Sequence, residues 1–139
     1  MNGLTIRIGG EADVELLAKL NKQLIEDERH DNAMTAIELK ERMWHFIRTD
    51  YKAYLFEQGG EIIGYALVDH NRQPLYVRQF FICRDQRRKG YGRLAFERLA
   101  SLLRTDQLDI EVMHWNESAN AFWKSLGFRE RSICMRLER

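Results

Sequence analysis

The chain has 139 residues, of which 45% are hydrophobic and 31% charged, a composition typical of one globular domain with a real core. Its formal net charge of +1 argues against nucleic acid as a partner, because nucleic-acid-binding domains usually carry a marked basic excess. No apolar run approaches the ~18 residues of a membrane span, and the N-terminus has no secretory pattern, so we expect a cytoplasmic protein without membrane contact.

The N-terminal part predicts one strand and then two helices. Apolar and polar residues alternate over residues 4–8, which indicates a short strand. Apolar residues at helical spacing predict a helix over residues 11–28, and a polar break ends it. A second helix is predicted over residues 35–49, because Thr35 with Glu38 forms a capping-box signature at its start.

The middle of the chain predicts three antiparallel strands. Residues 51–57 and 61–69 read as strands joined through Gly59 and Gly60, a strong hairpin signal. A second turn leads into a long strand over residues 75–83. We therefore expect an antiparallel meander.

The C-terminal part alternates helices with strands. The pattern predicts a helix over residues 90–104, a half-buried strand over 108–113, a helix that Asn116 caps and Gly127 ends, and a final strand over 128–137. The predicted order is β-α-α-β-β-β-α-β-α-β. It places the chain in the α/β class, with a mixed sheet of the α+β kind.

The loop that follows the third long strand has the composition of a phosphate site. Its glycines let backbone N–H groups approach an anion, and the start of the next helix adds partial positive charge. Basic side chains there, including Arg84 and Arg93, can pair with phosphate oxygens. The loop reads Arg87-Arg88-Lys89-Gly90-Tyr91-Gly92. We expect a phosphate or pyrophosphate at this place.

The same glycines also fit a dinucleotide-binding fingerprint. The segment from Gly90 to Ala95 matches G-x-G-x-x-G/A, and Glu111 follows at roughly the spacing of the ribose-binding acid in such folds. That fold requires several parallel strands with crossover helices, whereas antiparallel strands precede this loop. The architecture therefore argues against a dinucleotide enzyme, although the local phosphate site stands.

Two motifs together resemble those of the GNAT superfamily, the acyl-CoA-dependent N-acyltransferases. Residues 87–92 match the family signature R/Q-x-x-G-x-G/A, and residues 116–128 resemble its segment N-x-x-A-x-x-F-Y-x-x-x-G-F. One helix and one strand separate the two motifs, in the family's order. The second motif here reads Asn116-Glu117-Ser118-Ala119-Asn120-Ala121-Phe122-Trp123-Lys124-Ser125-Leu126-Gly127-Phe128. Since the element order also agrees over residues 4–137, the resemblance covers nearly the whole chain.

The resemblance implies an enzyme that transfers an acetyl group from acetyl-CoA to a primary amine by direct attack on the thioester. In that family two central strands splay apart and the pantetheine arm lies in the gap, while the pyrophosphate rests on the glycine loop. Asn116 would face the cofactor, although a role as N-cap explains it equally well. The implied cofactor-binding residues are Phe80, Phe81, Ile82, Arg87, Arg88, Lys89, Gly90, Tyr91, Gly92, Arg93, Asn116 and Trp123.

The catalytic groups are less well defined by the resemblance. Trp123 stands where many relatives have a tyrosine that protonates the leaving thiolate, and an indole N–H cannot donate that proton at a useful pH. We expect Trp123 to pack against the cofactor or the core. The candidates for the general base are Glu28, Tyr76 and His114, and a water chain to bulk solvent is an alternative to all three.

The acceptor and the partners stay open at this point. The acceptor is a small-molecule or peptide amine, and an acidic cluster at the end of the first helix suggests a cationic one, although a solvated helix end explains the cluster too. Its members are Glu26, Asp27, Glu28 and Asp31. The oligomeric state is undecided, a homodimer included. The alternative function is a non-catalytic acyl-CoA-binding sensor or interaction module with the same fold.

Cysteine and histidine suggest no further chemistry. Cys83 and Cys134 lie in separate strand-like runs, which is typical of buried thiols in a reducing compartment. The four histidines show no metal-ligand spacing, so we expect no metal site.

Overall fold

The computed structural model describes residues 3–139. They form a five-stranded sheet with helices on both faces. The strands are β1 (Thr5–Ile8), β2 (Tyr51–Gln58), β3 (Glu61–Asp69), β4 (Leu75–Ile82) and β5 (Leu108–Ile110). The helices are α1 (Val14–Glu28), α2 (Ala36–Arg48), α3 (Tyr91–Leu103) and α4 (Glu117–Ser125), with short 3₁₀ turns at Glu11–Asp13 and Arg84–Gln86. No helix among these residues is both long enough and apolar enough to cross a membrane.

The strands lie in chain order, and only the last pair is parallel. Neighbours from β1 to β4 are antiparallel, which confirms the predicted meander. β5 pairs with β4 only from Leu75 to Val77, although β4 continues to Ile82. The two strands therefore separate after Val77 and leave one edge of β4 without a partner strand.

A β-bulge marks the place where the strands separate. Leu67 pairs with Gln79 and Val68 pairs with Val77, so Arg78 is an extra residue on β4. A bulge bends its strand and increases the local twist. The bend at Arg78 therefore turns the rest of β4 away from β5 and opens the gap between them.

Two hydrophobic cores lie on opposite faces of the sheet, because side chains on a strand alternate between faces. The core beneath α1 and α2 contains Val14, Leu17, Leu20, Leu24, Met43, Ala53, Leu55, Tyr65, Leu67 and Phe81. The core beneath α3 contains Leu4, Tyr54, Phe56, Ile63, Ala66, Val68, Val77, Ile82, Ala95 and Leu99. The apolar stripe of each helix covers its face of the sheet.

The predicted helix caps are confirmed by hydrogen bonds. The Thr35 hydroxyl accepts from the backbone N–H of Glu38 at 3.2 Å, and the Glu38 carboxylate accepts from the N–H of Thr35 at 2.9 Å. At α4, Asn116 Oδ1 accepts from the N–H of Ala119 at 3.2 Å. These bonds satisfy donors that a helix start leaves unpaired.

The structure differs from the sequence prediction at the C-terminus. Residues 128–137, predicted as a final strand, have no regular secondary structure, and Ile133, Met135 and Leu137 are 81%, 85% and 77% exposed. β5 has three residues rather than the six predicted. Alternation shows that a segment suits a strand, but a strand forms only where a neighbour supplies hydrogen bonds. Along residues 128–137 no such neighbour is present in the described chain.

Candidate active site

The gap between β4 and β5 holds a narrow cavity of about 30 Å³. Its walls come from α1, from β4, from the end of β5 and from α4. The lining residues are Glu28, Val77, Arg78, Gln79, Phe80, Ile110, Glu111 and Trp123. Of the three predicted bases, only Glu28 is among them.

Alternate backbone groups of β4 point into this gap. The N–H of Cys83 donates to the carbonyl of Ile63 on β3 at 2.8 Å. In an antiparallel pair, every second residue forms such bonds with the neighbouring strand, and the residues between them point the other way. Phe81 therefore directs its N–H and C=O toward β3, whereas Phe80 and Ile82 direct theirs toward the gap. The Ile82 carbonyl accepts from Arg87 Nε at 2.8 Å, and the N–H groups of Phe80 and Ile82 have no acceptor within residues 3–139.

The loop before α3 presents a series of unpaired N–H groups. Arg88 and Gly90 have positive φ angles of 62° and 82°, and Gly90 is the N-cap of α3. The N–H of Leu94 donates to the carbonyl of Gly90 at 3.2 Å, but those of residues 88–93 find no acceptor in the described chain. Gly90 has the left-handed conformation that glycine adopts without strain. The arrangement suits a phosphate group at a helix N-terminus.

Gly92 lies where two helices approach each other closely. A Cβ on Gly92 would lie 3.3 Å from the Phe122 ring, which packs against the start of α3. The residue is therefore small because α3 and α4 approach closely there. Its backbone N–H is still one of the unpaired groups of the loop.

The basic residues of this region divide into two groups. Arg84 and Arg87 both form ion pairs with Asp27 at the end of α1. Burial alone would raise the pKa of Asp27, but the hydrogen bonds from the two arginines outweigh it and lower that pKa. Arg87 thus links the loop, the Ile82 carbonyl and α1, while Arg88 and Lys89 are exposed and form no ion pair within the described residues.

Arg93 lies on the first turn of α3 and also contacts α4. Its guanidinium lies 3.7 Å from Glu97 and donates weakly to the Ser125 hydroxyl at 3.3 Å. Both contacts are exposed and long, so they leave the side chain able to turn toward an anion.

Trp123 belongs to an aromatic cluster between the sheet, α3 and α4. Its ring centroid lies 5.1 Å from that of Phe80, 5.6 Å from that of Phe96 and 5.2 Å from that of Phe128, each in an edge-to-face arrangement. Trp123 is only 9% exposed and also lines the cavity in the gap. Its position is that of a packing residue that forms one wall of the gap.

The three predicted bases lie in different surroundings. Glu28 is half-buried, and burial followed by the charge of Asp27 raises the pKa of its carboxyl group. Tyr76 is 6% exposed and lies where β4 still pairs with β5; burial and Glu111 raise its pKa to about 12. His114 is exposed, with its ring 5.3 Å from that of Trp115. Only Glu28 combines a position at the gap with a shifted pKa.

A larger and more open cavity of about 430 Å³ adjoins Glu28. Its other walls are Asp27 and Arg29 at the end of α1, and the loop at residues 115–118. Trp115 Nε1 donates to the backbone carbonyl of Glu28 at 3.0 Å and holds this loop against α1. Trp115 could not be predicted from the sequence, because it is a single aromatic residue in a loop and its partner is 87 positions away.

A buried polar network lies beneath α1 and α2 next to the gap. The Tyr65 hydroxyl donates to Gln79 Oε1 at 2.8 Å, and Arg42 Nη2 donates to Asn21 Oδ1 at 2.9 Å. Asn21 and Gln79 are 1% and 7% exposed. The sequence analysis did not predict this network, because each of its residues occupies an ordinary helix or strand position.

Comparison with known proteins identifies the family. Residues 17–128 match the acetyltransferase (GNAT) family, which is most of the chain. The chain belongs to this family. It is therefore an N-acetyltransferase with acetyl-CoA as its co-substrate. A search of curated protein sequences finds no significant match.

Solved structures share the fold at low sequence identity. A possible acetyltransferase from Clostridium difficile 630 has a TM-score of 0.78 at 16% identity, with 98% of this chain and 97% of that chain covered. A predicted acetyltransferase from Clostridium acetobutylicum, solved with acetyl-CoA, has a TM-score of 0.72 at 15% identity, covering 97% and 96%. The aminoglycoside N-acetyltransferase AAC(6')-Iy, solved with CoA, has a TM-score of 0.73 at 15% identity, covering 98% and 94%.

Proposed function

We propose that this N-acetyltransferase transfers the acetyl group to a primary amine by direct attack of the amine on the thioester, within the gap between β4 and β5. The observation that carries the proposal is the free edge of β4, where the N–H groups of Phe80 and Ile82 have no acceptor within residues 3–139. Buried backbone donors require partners, and an amide-bearing pantetheine arm together with a thioester carbonyl supplies them.

The co-substrate fits the loop before α3. The unpaired N–H groups of residues 88–93 would hold the pyrophosphate, assisted by the charges of Arg88, Lys89 and Arg93. We assign Arg87 a positioning role instead, because Asp27 and the Ile82 carbonyl already occupy its guanidinium. Phe81 contributes packing rather than backbone contacts, since its amide points to β3.

The chemical step needs a neutral amine and a polarised carbonyl. Glu28 lines the gap and would take the proton from the incoming ammonium or from a water that relays it. The N–H of Ile82 would stabilise the oxygen as the amine nitrogen bonds to the carbonyl carbon. The carbon–sulfur bond then breaks, the nitrogen releases its second proton to water, and the departing thiolate takes a proton from water or from a hydroxyl such as that of Ser118. The products are an N-acetylated amine and coenzyme A.

The test is thiol release from acetyl-CoA in the presence of a panel of primary amines, with calorimetric binding of coenzyme A measured in parallel. We expect turnover with at least one amine, and loss of coenzyme A binding when Gly90 is replaced by valine. A protein that binds coenzyme A and acetylates no amine would instead be the non-catalytic module.

We also propose that the protein associates as a homodimer through its C-terminal segment, residues 129–139. Ile133, Met135 and Leu137 are exposed in alternation, and β5 is the last strand of the sheet, with one edge open. The C-terminal segment of one copy could add as a strand to the open β5 edge of a second copy. The β5 region, residues 106–111, carries three acidic and no basic residues, whereas the segment carries four arginines and two glutamates.

We further propose that the 139 residues work as one catalytic domain in the cytoplasm. The fold neighbours described above extend over nearly the same length as this chain, which supports one domain. The free thiols of Cys83 and Cys134 agree with a reducing compartment, although Cys134 is exposed and not buried as the sequence predicted.

A further inference from the structure

Two arginines beside the gap have no carboxylate partner within residues 3–139. Arg42 lies on α2, and Arg78 is the bulged residue of β4. Their guanidinium carbons lie 5.4 Å and 5.2 Å from the centroid of the Phe46 ring. Neither Arg42 nor Arg78 takes part in an ion pair within residues 3–139.

Most hydrogen-bond donors of these two side chains are unused. Arg42 donates from Nη2 to Asn21, and Arg78 donates from Nε to the Tyr51 hydroxyl at 2.8 Å. The Nε of Arg42 is buried and has no acceptor within the described residues. Each guanidinium has five N–H donors in a planar fork. Arg42 and Arg78 can therefore still donate to both oxygens of a carboxylate or a similar anion.

The electrostatics of the pair also favour an anion. Burial, followed by the charge of Arg78, lowers the pKa of Arg42. Arg42 is half-buried and Arg78 is exposed, and their like charges repel each other. An anion placed between α2 and β4 would relieve this repulsion.

The pair lies on the acceptor side of the reaction site. Arg78 and Glu28 line the same cavity, and no ion pair joins them in the described chain. The polar partners Asn21 and Gln79 lie under α1 and α2, away from the aromatic wall that Trp123 and Phe80 form. An acceptor there meets the Glu28 carboxylate on one wall and the Arg78 guanidinium on another, with Arg42 in the adjoining polar network.

We propose that the acetyl acceptor is an amine that also carries a carboxylate, with its carboxylate on Arg42 and Arg78 and its amine directed to Glu28. The proposal rests on the acetyl transfer described under Proposed function and adds the substrate class. Amino acids and short peptides with a free C-terminal carboxylate have this chemistry. Arginine forks recognise carboxylates in two-point contacts, which fixes the amine in one orientation.

The acidic cluster at the end of α1 does not favour a polycation. Glu26 and Asp27 form ion pairs with Arg84, and Asp31 forms one with Arg136 at 2.9 Å. Of that cluster, Glu28 is the member whose carboxylate has no ion-pair partner within residues 3–139. The single unpaired carboxylate of Glu28 matches an acceptor with one ammonium group better than a polycation.

The experiment compares matched amines in the acetyl-CoA thiol-release assay. β-Alanine and glycylglycine are set against their C-terminal amides, phosphoethanolamine against ethanolamine, and putrescine represents the polycations. We expect kcat/KM for each carboxylate compound to exceed that of its amide by about 10- to 100-fold, roughly the effect of one hydrogen bond to a charged group.

The variants test which residues cause the difference. Arg78→Gln should raise KM for the carboxylate compounds by about 10-fold or more and leave the amides unchanged, because only the carboxylate contact is lost. Arg42→Lys keeps the charge but not the fork, and should give a smaller rise in KM. Arg48→Gln is the matched control, since Arg48 also lies on α2 and stacks on an aromatic ring, that of Trp44 at 5.3 Å. It should change neither class.

The outcomes distinguish this inference from the proposed function. Equal kcat/KM for acids and amides would overturn the inference, as would a preference for phosphoethanolamine or putrescine. If no amine is acetylated, acetyl transfer to these amines fails, and calorimetry of β-alanine against its amide still decides the substrate class. Carboxylate-selective binding that Arg78→Gln abolishes would support it, and equal binding would overturn it.

Discussion

At the scale of the residue, Glu28 decides whether the site has a protein base. Its pKa is raised above the ordinary value of 4.5, first by burial and then by Asp27. As a general base it must be ionised, so the acid limb of the pH profile of kcat/KM should lie above pH 4.5. Glu28→Gln should remove that limb and lower kcat/KM by about 10²-fold.

The other candidate bases and protein stability provide the controls for Glu28. Tyr76→Phe and His114→Gln should each lower kcat/KM less than about 10-fold, since neither side chain lines the gap. Because the folded state holds the Glu28 proton more tightly than the unfolded state, stability falls as the pH rises through the raised pKa. The neutral Glu28→Gln variant should therefore melt no lower than the parent at pH 7. If all three variants lose less than about 10-fold in rate, a water chain replaces a protein base.

Trp123 shows how a residue can keep its place in a motif and change its role. The tyrosine of many relatives would direct a hydroxyl at the leaving group, whereas here three aromatic rings enclose an indole. The thiolate of coenzyme A leaves readily enough for water to protonate it, since its pKa is near that of a free thiol, ~8.5. We therefore expect Trp123 to act through packing that shapes the gap, and not as an acid.

At the scale of the element, the contact between β3 and β4 sets the edge that carries the site. A Cβ on Gly64 would lie 2.1 Å from the Phe81 carbonyl oxygen and 3.1 Å from Ile82 Cα, so the two strands could not keep their spacing. Gly64→Ala should lower the free energy of unfolding by about 3 kcal/mol, the upper end of the usual cost of overpacking. It should also weaken coenzyme A binding, because the backbone of Ile82 would move.

The control for Gly64 is a glycine with open space around it. Gly10 has an extended backbone with φ −123°, and a Cβ there meets nothing within 4 Å. Gly10→Ala should leave urea unfolding within about 0.5 kcal/mol of the parent. Equal unfolding of the two variants would show that the β3–β4 contact is looser than described.

Local sequence patterns predicted the helices and most of the strands. Features that depend on contacts between distant residues could not be predicted from the sequence. The four helices, the hairpin and the Thr35 capping box follow from spacing and local chemistry, and the structure confirms them. The bulge at Arg78 and the ties of Arg87 to α1 were not predicted, because they join residues far apart in the chain. The sequence could not show that the Arg87 guanidinium contacts Asp27, because Asp27 lies 60 positions away.

At the scale of the whole molecule, the predicted strand at residues 128–137 is the clearest mismatch and also the basis for association. Its alternating pattern is typical of a strand, but Ile133, Met135 and Leu137 face solvent instead of a core. A monomer that exposes such a segment beside an open sheet edge carries both halves of an intermolecular contact. A second copy of the chain could supply the hydrogen bonds that the described residues do not.

Sedimentation velocity at several protein concentrations tests this association. We expect the parent to be a dimer at micromolar concentration, and the double variant Ile133→Gln with Leu137→Gln to be a monomer, because the apolar contact is lost. Raised salt should weaken the dimer as well, since the proposed contact would bring the acidic β5 region against the basic C-terminal segment. Ile37→Gln is the control, because Ile37 is 71% exposed on α2, in another part of the molecule, and should not change the association. A monomeric parent, or a double variant that remains dimeric, would show that residues 129–139 do not join two copies of the chain.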